Sequence, residues 1–252
     1  MAQKFYYDSV DILNATLNDG TVALNGSESF SDSSSLISEE RAVDQSISTV
    51  ITGWEENDAL QFNLGSAKAV DFMAVYFNLA ESDDIRLSYD DSASGAVAAD
   101  IDVFTSCVVG WNVAEFSEQT YRYWIVSAKT AGGLVGITEI ILGSKLEFEH
   151  NPDIGITEVD TFGTTTNKSM GGQEYGVKIH EPIADYSLSF GSISSTFKSN
   201  LISMQDDVQD FKKFIWYDET TYHWVKLVNP IQFTEVSSQR YSASISLRQQ
   251  LS

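Results

Sequence analysis

The chain has 252 residues, 42% apolar and 12% aromatic, enough for a packed core in one large domain or two ordinary ones and too much for wholesale disorder. Its 36 acids against 15 bases leave a formal charge of −21, which excludes a basic face for nucleic acid and disfavours binding to anionic membranes. The lone cysteine, Cys107, excludes an intrachain disulfide, and no apolar stretch reaches the ~18 residues of a membrane helix, so no membrane insertion is expected.

The N-terminus carries Lys4 but no apolar core of a signal peptide, which predicts synthesis and folding in a cytoplasm. Short β-like runs follow at Lys4–Tyr7, Ile12–Leu17 and Thr21–Leu24, with Asn18-Asp19-Gly20 read as a hairpin turn between the last two. Ser27–Ser38 is polar and Ser-rich and reads as a loop or a loosely held strand. From there the pattern is regular. Strands are predicted at Ser46–Ile51, Ala59–Leu64, Ala69–Asn78, Asp84–Tyr89, Asp100–Phe104, Asn112–Phe116, Tyr121–Ala128 and Gly136–Leu142. Many short strands between Gly, Asn, Asp and Ser clusters argue for an antiparallel sandwich or jelly roll. Cys107 lies in the apolar run Val103–Val109 and reads as a small buried hydrophobe.

A composition shift near residue 148 marks a domain boundary. Residues 1–147 hold 23 acids against 7 bases, a net of −16, and residues 148–252 hold 13 against 8, a net of −5. The reading is therefore a first domain over 1–148 and a second over 149–252, joined at His150-Asn151-Pro152-Asp153. In the second, Ile154–Phe162, Tyr175–Glu181 and Ala184–Phe190 read as strands and Thr164–Gly172 as a flexible loop. Phe197, Leu201, Met204, Val208, Phe211 and Ile215 fall at spacings of four and three, which predicts one amphipathic helix over 195–215 capped by Ser194 or Ser195. Trp216-Tyr217, Tyr222–Val228 and Ile231–Leu247 supply the closing strands, with turns at Asp218–Thr221 and Glu235–Gln239. The fold class is all-β with one α-helix, two β-sandwich domains in series.

Residues 42–143 resemble the galactose-binding-like jelly roll of the discoidin, or coagulation-factor C-type, family. The resemblance rests on Ala42-Val43-Asp44 with Ser48-Thr49 and Trp54, Ala59–Gly65, Ala69–Tyr76, Ile85–Asp90, Phe116 with Tyr121–Val126, and the closing Ile137–Gly143. It implies a carbohydrate-binding-like sandwich in which Gly65 and Gly143 serve turns; the cysteine pair frequent in that family is absent. More loosely, the second domain resembles tube-forming and distal-tail proteins of long-tailed bacteriophages. It shares with them sandwich strands, one amphipathic helix, the Trp216–Asp218 turn and a last hairpin ending at Ser244–Leu247. Together the two imply a virion tail protein of the distal tail or hub, synthesised in a bacterial host. Such a protein would form a homo-oligomeric ring of about three to six copies through its second domain and contact other tail proteins and host-surface glycans. The alternative is a stand-alone carbohydrate-binding module or adhesin.

Candidate site residues are few. His150, His180 and His223 lack metal-site or general-base spacing, and Cys107 has no neighbouring His, so no catalytic residue is expected. The pairs Glu39-Glu40, Glu55-Glu56, Asp83-Asp84, Asp90-Asp91 and Asp206-Asp207 could serve a glycoside hydrolase, but in a chain this acidic they read as solvated loops. Asp83, Asp90 and Asp91 are candidate hard-oxygen ligands for a structural calcium. Trp111 and Asn112, beside Gly110, pair an aromatic face with an amide and are the candidate sugar contacts.

Overall fold

The computed structural model describes residues 2–22, 30–31, 39–50, 58–78, 85–91, 99–104, 107–128, 136–153 and 156–250. Among them the chain is nearly all β, with one α-helix and two short 3-10 turns. The strands are β1 (Lys4–Tyr7), β2 (Thr16–Val22), β3 (Phe30–Ser31), β4 (Asp58–Phe77), β5 (Ile85–Asp90), β6 (Ala99–Phe104), β7 (Gly110–Ala128) and β8 (Ile137–Glu147), then β9 (Thr157–Thr161), β10 (Thr164–Lys168), β11 (Glu174–Lys178) and β12 (Ile183–Ser194). Helix α1 (Ser195–Val208) follows, and β13 (Phe214–Tyr217), β14 (Tyr222–Leu227), β15 (Gln232–Ser237) and β16 (Arg240–Gln249) close the chain. Two compact units result. One is Tyr6–Lys145; the other takes Leu146–Leu251 together with the first five residues.

In the Tyr6–Lys145 unit, β4 and β7 are twice the expected length. Each merges two predicted strands, and they pair antiparallel from Ala59↔Ser127 to Phe77↔Gly110, with register breaks between Asn63 and Lys68 and between Val70 and Phe72. The first half of β4 also pairs β2, and its second half pairs β8. The two halves thus belong to opposite layers of a sandwich. Leu60, Phe62, Trp124 and Val126 from one end and Met73, Val75, Ile140 and Leu142 from the other meet in a single core, with Ile85, Leu87 and Cys107. Cys107 is buried, as expected.

Several local expectations are overturned. Asn18-Asp19-Gly20 is no turn: β2 runs straight through it, Asn18 to Gly20 opposite Gln61 to Ala59, because a full ladder on β4 outweighs turn propensity. Residues 46–50 are not a strand. Asp44 accepts hydrogen bonds from the Ser46 N–H at 2.8 Å and the Thr49 hydroxyl at 2.7 Å, which curls the segment; Ile51 and Trp54 lie outside the described residues. Gly143 serves no turn either; it sits within β8 opposite Phe72.

In the other unit, β13-β14-β16-β12-β9 form one sheet, with β15 also on β16. α1 packs on β12 and β16 through Phe197, Leu201, Met204 and Val208, the predicted face. Ser194 is the cap: its Oγ accepts from the Phe197 N–H at 3.1 Å. The helix stops at Val208 and not at 215. Gln209 takes φ 51°, Phe211 is exposed, and Ile215 belongs to β13. Phe148 anchors the core edge-on to Phe5, Phe190 and Phe197. The predicted loop Thr164–Gly172 contains β10, which pairs with β11 as a separate two-stranded sheet, and every residue of β9, β10 and β11 is exposed.

Candidate functional site

Where β5 ends and β4 breaks register, three strands bring chemistry into line. Tyr123 lies opposite Asn63 on one side and Asp90 on the other. The break is made by Gly65, at φ +76°, whose N–H donates to Asn63 Oδ1 at 3.0 Å. The same oxygen accepts from Arg122 Nε at 3.0 Å, and the guanidinium lies 4.9 Å from the centre of the Tyr123 ring. Asp90 Oδ1 accepts from the Asp91 N–H at 2.7 Å, and Asp91 Oδ1 from the Arg122 N–H at 3.2 Å. Beneath, Tyr121 stacks on Tyr89 at 4.3 Å, and Tyr89 leans on Trp124.

The arrangement offers mixed hydrogen bonding beside aromatic carbon. Among the described residues only Nε of the Arg122 guanidinium is bonded, so its two terminal nitrogens remain as a planar donor fork. Asp91 and Asp90 each keep acceptor capacity, and Tyr123 lays an aromatic ring under the guanidinium. A polyhydroxylated ligand needs these groups: donors and acceptors for its hydroxyls and a flat face for its C–H edges.

Of the predicted calcium ligands, Asp90 and Asp91 fall in this cluster and cap backbone N–H groups, while Asp83 lies outside the described residues. Among the described residues no group of three His, Cys, Asp or Glu is placed to hold a metal ion. Trp111 and Asn112 lie at the far end of β7, and the structure does not bring them to Arg122. Trp111 is 8% exposed, opposite Tyr76 and edge-on to its ring at 5.3 Å. Asn112 accepts from the Val108 N–H at 3.0 Å and donates to the carbonyls of Val108 at 2.8 Å and Gly110 at 3.0 Å, pinning a turn with Val108 and Val109 exposed. Sequence reasoning missed Arg122. Its signal was an arginine between two tyrosines in a region with only seven bases.

In the second unit, His223 bridges Asp218, at 2.8 Å from Nε2 to Oδ2, and the Tyr186 hydroxyl, at 3.4 Å from Nδ1, while stacking on Trp216 at 4.9 Å. Burial works to raise the Asp218 carboxyl, but hydrogen bonds from His223 and from the Thr220 hydroxyl and the Thr220 and Thr221 N–H groups outweigh it and hold it well below the usual carboxylate range. Burial, with Glu158, Asp160 and Asp218 adding to it, pushes the Tyr186 phenol up to about 12. The chain of bonds locks the Asp218–Thr221 turn.

No family model and no curated protein sequence matches the chain. Solved structures do. Chitosan-binding module 1 of a chitosanase/glucanase from Paenibacillus sp. IK-5 is 20% identical over 55% of this chain and 100% of the module, with a TM-score of 0.40. A fucose-binding module of Streptococcus pneumoniae is 17% identical over 52% of this chain and 92% of its own, at 0.38. The lectin domain of lectinolysin, solved with Lewis B antigen, is 19% identical over 53% and 95%, at 0.39.

Proposed function

We propose that the chain is a glycan-binding protein that acts without turnover, its Tyr6–Lys145 sandwich holding a carbohydrate at the Asn63–Asp91–Arg122 cluster. The observation that carries the reading is the Arg122 fork, oriented through Nε by Asn63 and lying over the Tyr123 ring, with Asp91 held at its strand by the Arg122 backbone N–H. Arg122 gives directional hydrogen bonds to vicinal hydroxyls, and the carboxylates accept from the same groups. The test is titration calorimetry of the full chain against chitotriose, fucose and the Lewis b oligosaccharide. Arg122→Ala is expected to weaken the best ligand by at least about tenfold, some 1.4 kcal/mol. Arg122→Lys should recover part of it. Full affinity in Arg122→Ala, or no binding by any of the three, overturns the assignment.

A second reading is favoured by one observation, the uninterrupted exposure of β9, β10 and β11. It is that of a structural protein of a long-tailed bacteriophage, assembled in the host cytoplasm into a ring at the distal tail or hub and displaying the sandwich toward host-surface glycans. The two readings are compatible, since adhesion is what a displayed binding domain serves. Antibodies raised against the chain would mark the tail tips of virions in negative stain; labelling absent from tails would exclude it.

A further inference from the structure

The hairpin β10–β11 has no covering partner among the described residues. Its register, Thr165↔Val177 and Asn167↔Tyr175, places Tyr175 and Val177 on one face, and alternation carries that stripe on to Ile179. These three are 57%, 59% and 66% exposed. The opposite face carries Lys168, Glu174 and Lys178. Phe162 at the root and Met170 at the tip are exposed as well. An isolated two-stranded hairpin is marginal in water, and one with a bare apolar face is more so.

The same unit carries a matching recess. The end of α1 and the β14–β15 connection enclose a groove of about 340 Å³ lined by Gln205, Asp206, Asp210, Leu227, Val228 and Pro230. Leu227, Val228 and Pro230 make one wall largely apolar, and the α1 wall carries two carboxylates beside Gln205 and Gln209. The hairpin does not fill this groove in its own chain, because its apolar face is exposed.

We infer that the Phe162–His180 hairpin of one copy docks in the Asp206–Pro230 groove of the next. This rests on the reading of the chain as a self-assembling protein and names the contact that reading lacks. Charge selects a second copy as the occupant. Residues 162–180 hold two lysines against one glutamate, a net of +1 in a chain of −21, so the hairpin is a segment two such acidic chains can share without repulsion. The hairpin enters edge-on, so that Tyr175, Val177 and Ile179 meet the Leu227–Pro230 wall while Lys168 and Lys178, on its other face, approach Asp206 and Asp210 on the α1 wall. Those lysines now pair with Glu174 and Glu181 in exposed ion pairs, which are weak enough to exchange. Hairpin and groove are different surfaces, so the contact is head-to-tail: it closes into a ring or runs on as a filament, and each copy makes it twice.

The test is light scattering of the full chain on a sizing column over a wide concentration range. Wild type is expected above monomer mass. A hairpin variant, Val177→Asp with Ile179→Asp, and a groove variant, Asp206→Lys with Asp210→Lys, should each weaken self-association by at least about tenfold. Mixed one to one, they should give a dimer and nothing larger, because only one hairpin–groove pair survives. Unchanged melting of both variants guards against misfolding, and Lys168→Asp with Lys178→Asp in the groove variant restores association by swapping the charges. A wild type that stays monomeric throughout overturns both the contact and the self-assembly reading. Variants that keep the wild-type mass overturn the contact alone.

Discussion

Gly143→Ala is the sharpest probe of the sandwich. Gly143 lies in β8 opposite Phe72, and the chain leaving β1 passes directly over it. A methyl group built there would intrude on the Tyr7 carbonyl oxygen and stand 2.8 Å from Ser9 N and 3.1 Å from Asp8 Cα. All three are backbone atoms, so no side chain can rotate away. The segment is also pinned: Asp8 Oδ1 accepts from the Ile12 N–H at 2.9 Å, and Ser9 and Ser144 share a hydroxyl bond of 2.7 Å. Overpacking costs ~1–3 kcal/mol where neighbours relax, and this site belongs at the top of that range. At about 2–4 °C per kcal/mol for a chain of this size, the melting transition of the Tyr6–Lys145 unit should fall by roughly 6–12 °C in scanning calorimetry. Two other glycines calibrate the result. Gly65→Ala meets open space but keeps φ +76°, which costs about 1–2 kcal/mol, and Gly176→Ala meets open space at an ordinary φ and should be neutral. If Gly143→Ala melts within about 2 °C of wild type, or costs less than Gly65→Ala, the close approach of Tyr7–Ser9 to β8 is wrong.

Two predictions concern the second unit. The Asp218 carboxyl is lower in the folded chain than in the unfolded one, so its contribution is complete above the unfolded value of about 3.9 and is lost as the pH falls below it. Asp218→Asn should therefore lower the urea midpoint most at pH 7, with the loss about 1 kcal/mol smaller at pH 3 and shrinking further as the pH falls toward the folded value; a loss independent of pH refutes the network around His223. Ser194 caps α1 and donates to Glu149 Oε2 at 2.5 Å, a bond that, with Arg240, helps keep the Glu149 carboxyl below its usual value. Ser194→Ala should cost about 1–2 kcal/mol in urea unfolding, with Ser194→Thr recovering most of it, and a loss under about 0.5 kcal/mol would mean the cap is idle.

The elements that the sequence makes legible are those whose signal is local. Alternation in Ile85–Asp90 and Tyr222–Leu227 marks strands to within a residue, and the first three turns of α1 show in the spacing of Phe197, Leu201, Met204 and Val208. The errors arise where a distant partner decides. Asn18-Asp19-Gly20 carries hairpin chemistry, yet residues 58–63 of β4 claim it for a ladder. The spacing carries the predicted helix on to Ile215 because the apolar period continues by accident into β13. No Gly or Pro marks the stop, which Gln209 makes with a positive φ. β4 reads as two strands because Gly65 reads as a turn; its role as a bend between layers appears only once β2, β7 and β8 are in place.

The candidate site was hidden for the same reason. Trp111 and Asn112 have the side chains for sugar contact, but local geometry has already spent them: the indole lies against Tyr76, and the amide closes its own turn. Asn63, Asp91 and Arg122 are separated by about thirty residues each, and each alone is an ordinary strand-end polar group. What joins them is register, Asn63 and Asp90 opposite the same Tyr123, and a break in β4 that turns Asn63 Oδ1 toward both Gly65 and Arg122. A cation placed by a neighbouring strand's amide has few rotamers left to lose when a ligand arrives. The irregularity that defeats strand prediction at residues 63–68 is therefore also what preorganises the donor fork, and binding at Arg122 should be sensitive to the backbone at Gly65 as well as to the charge itself.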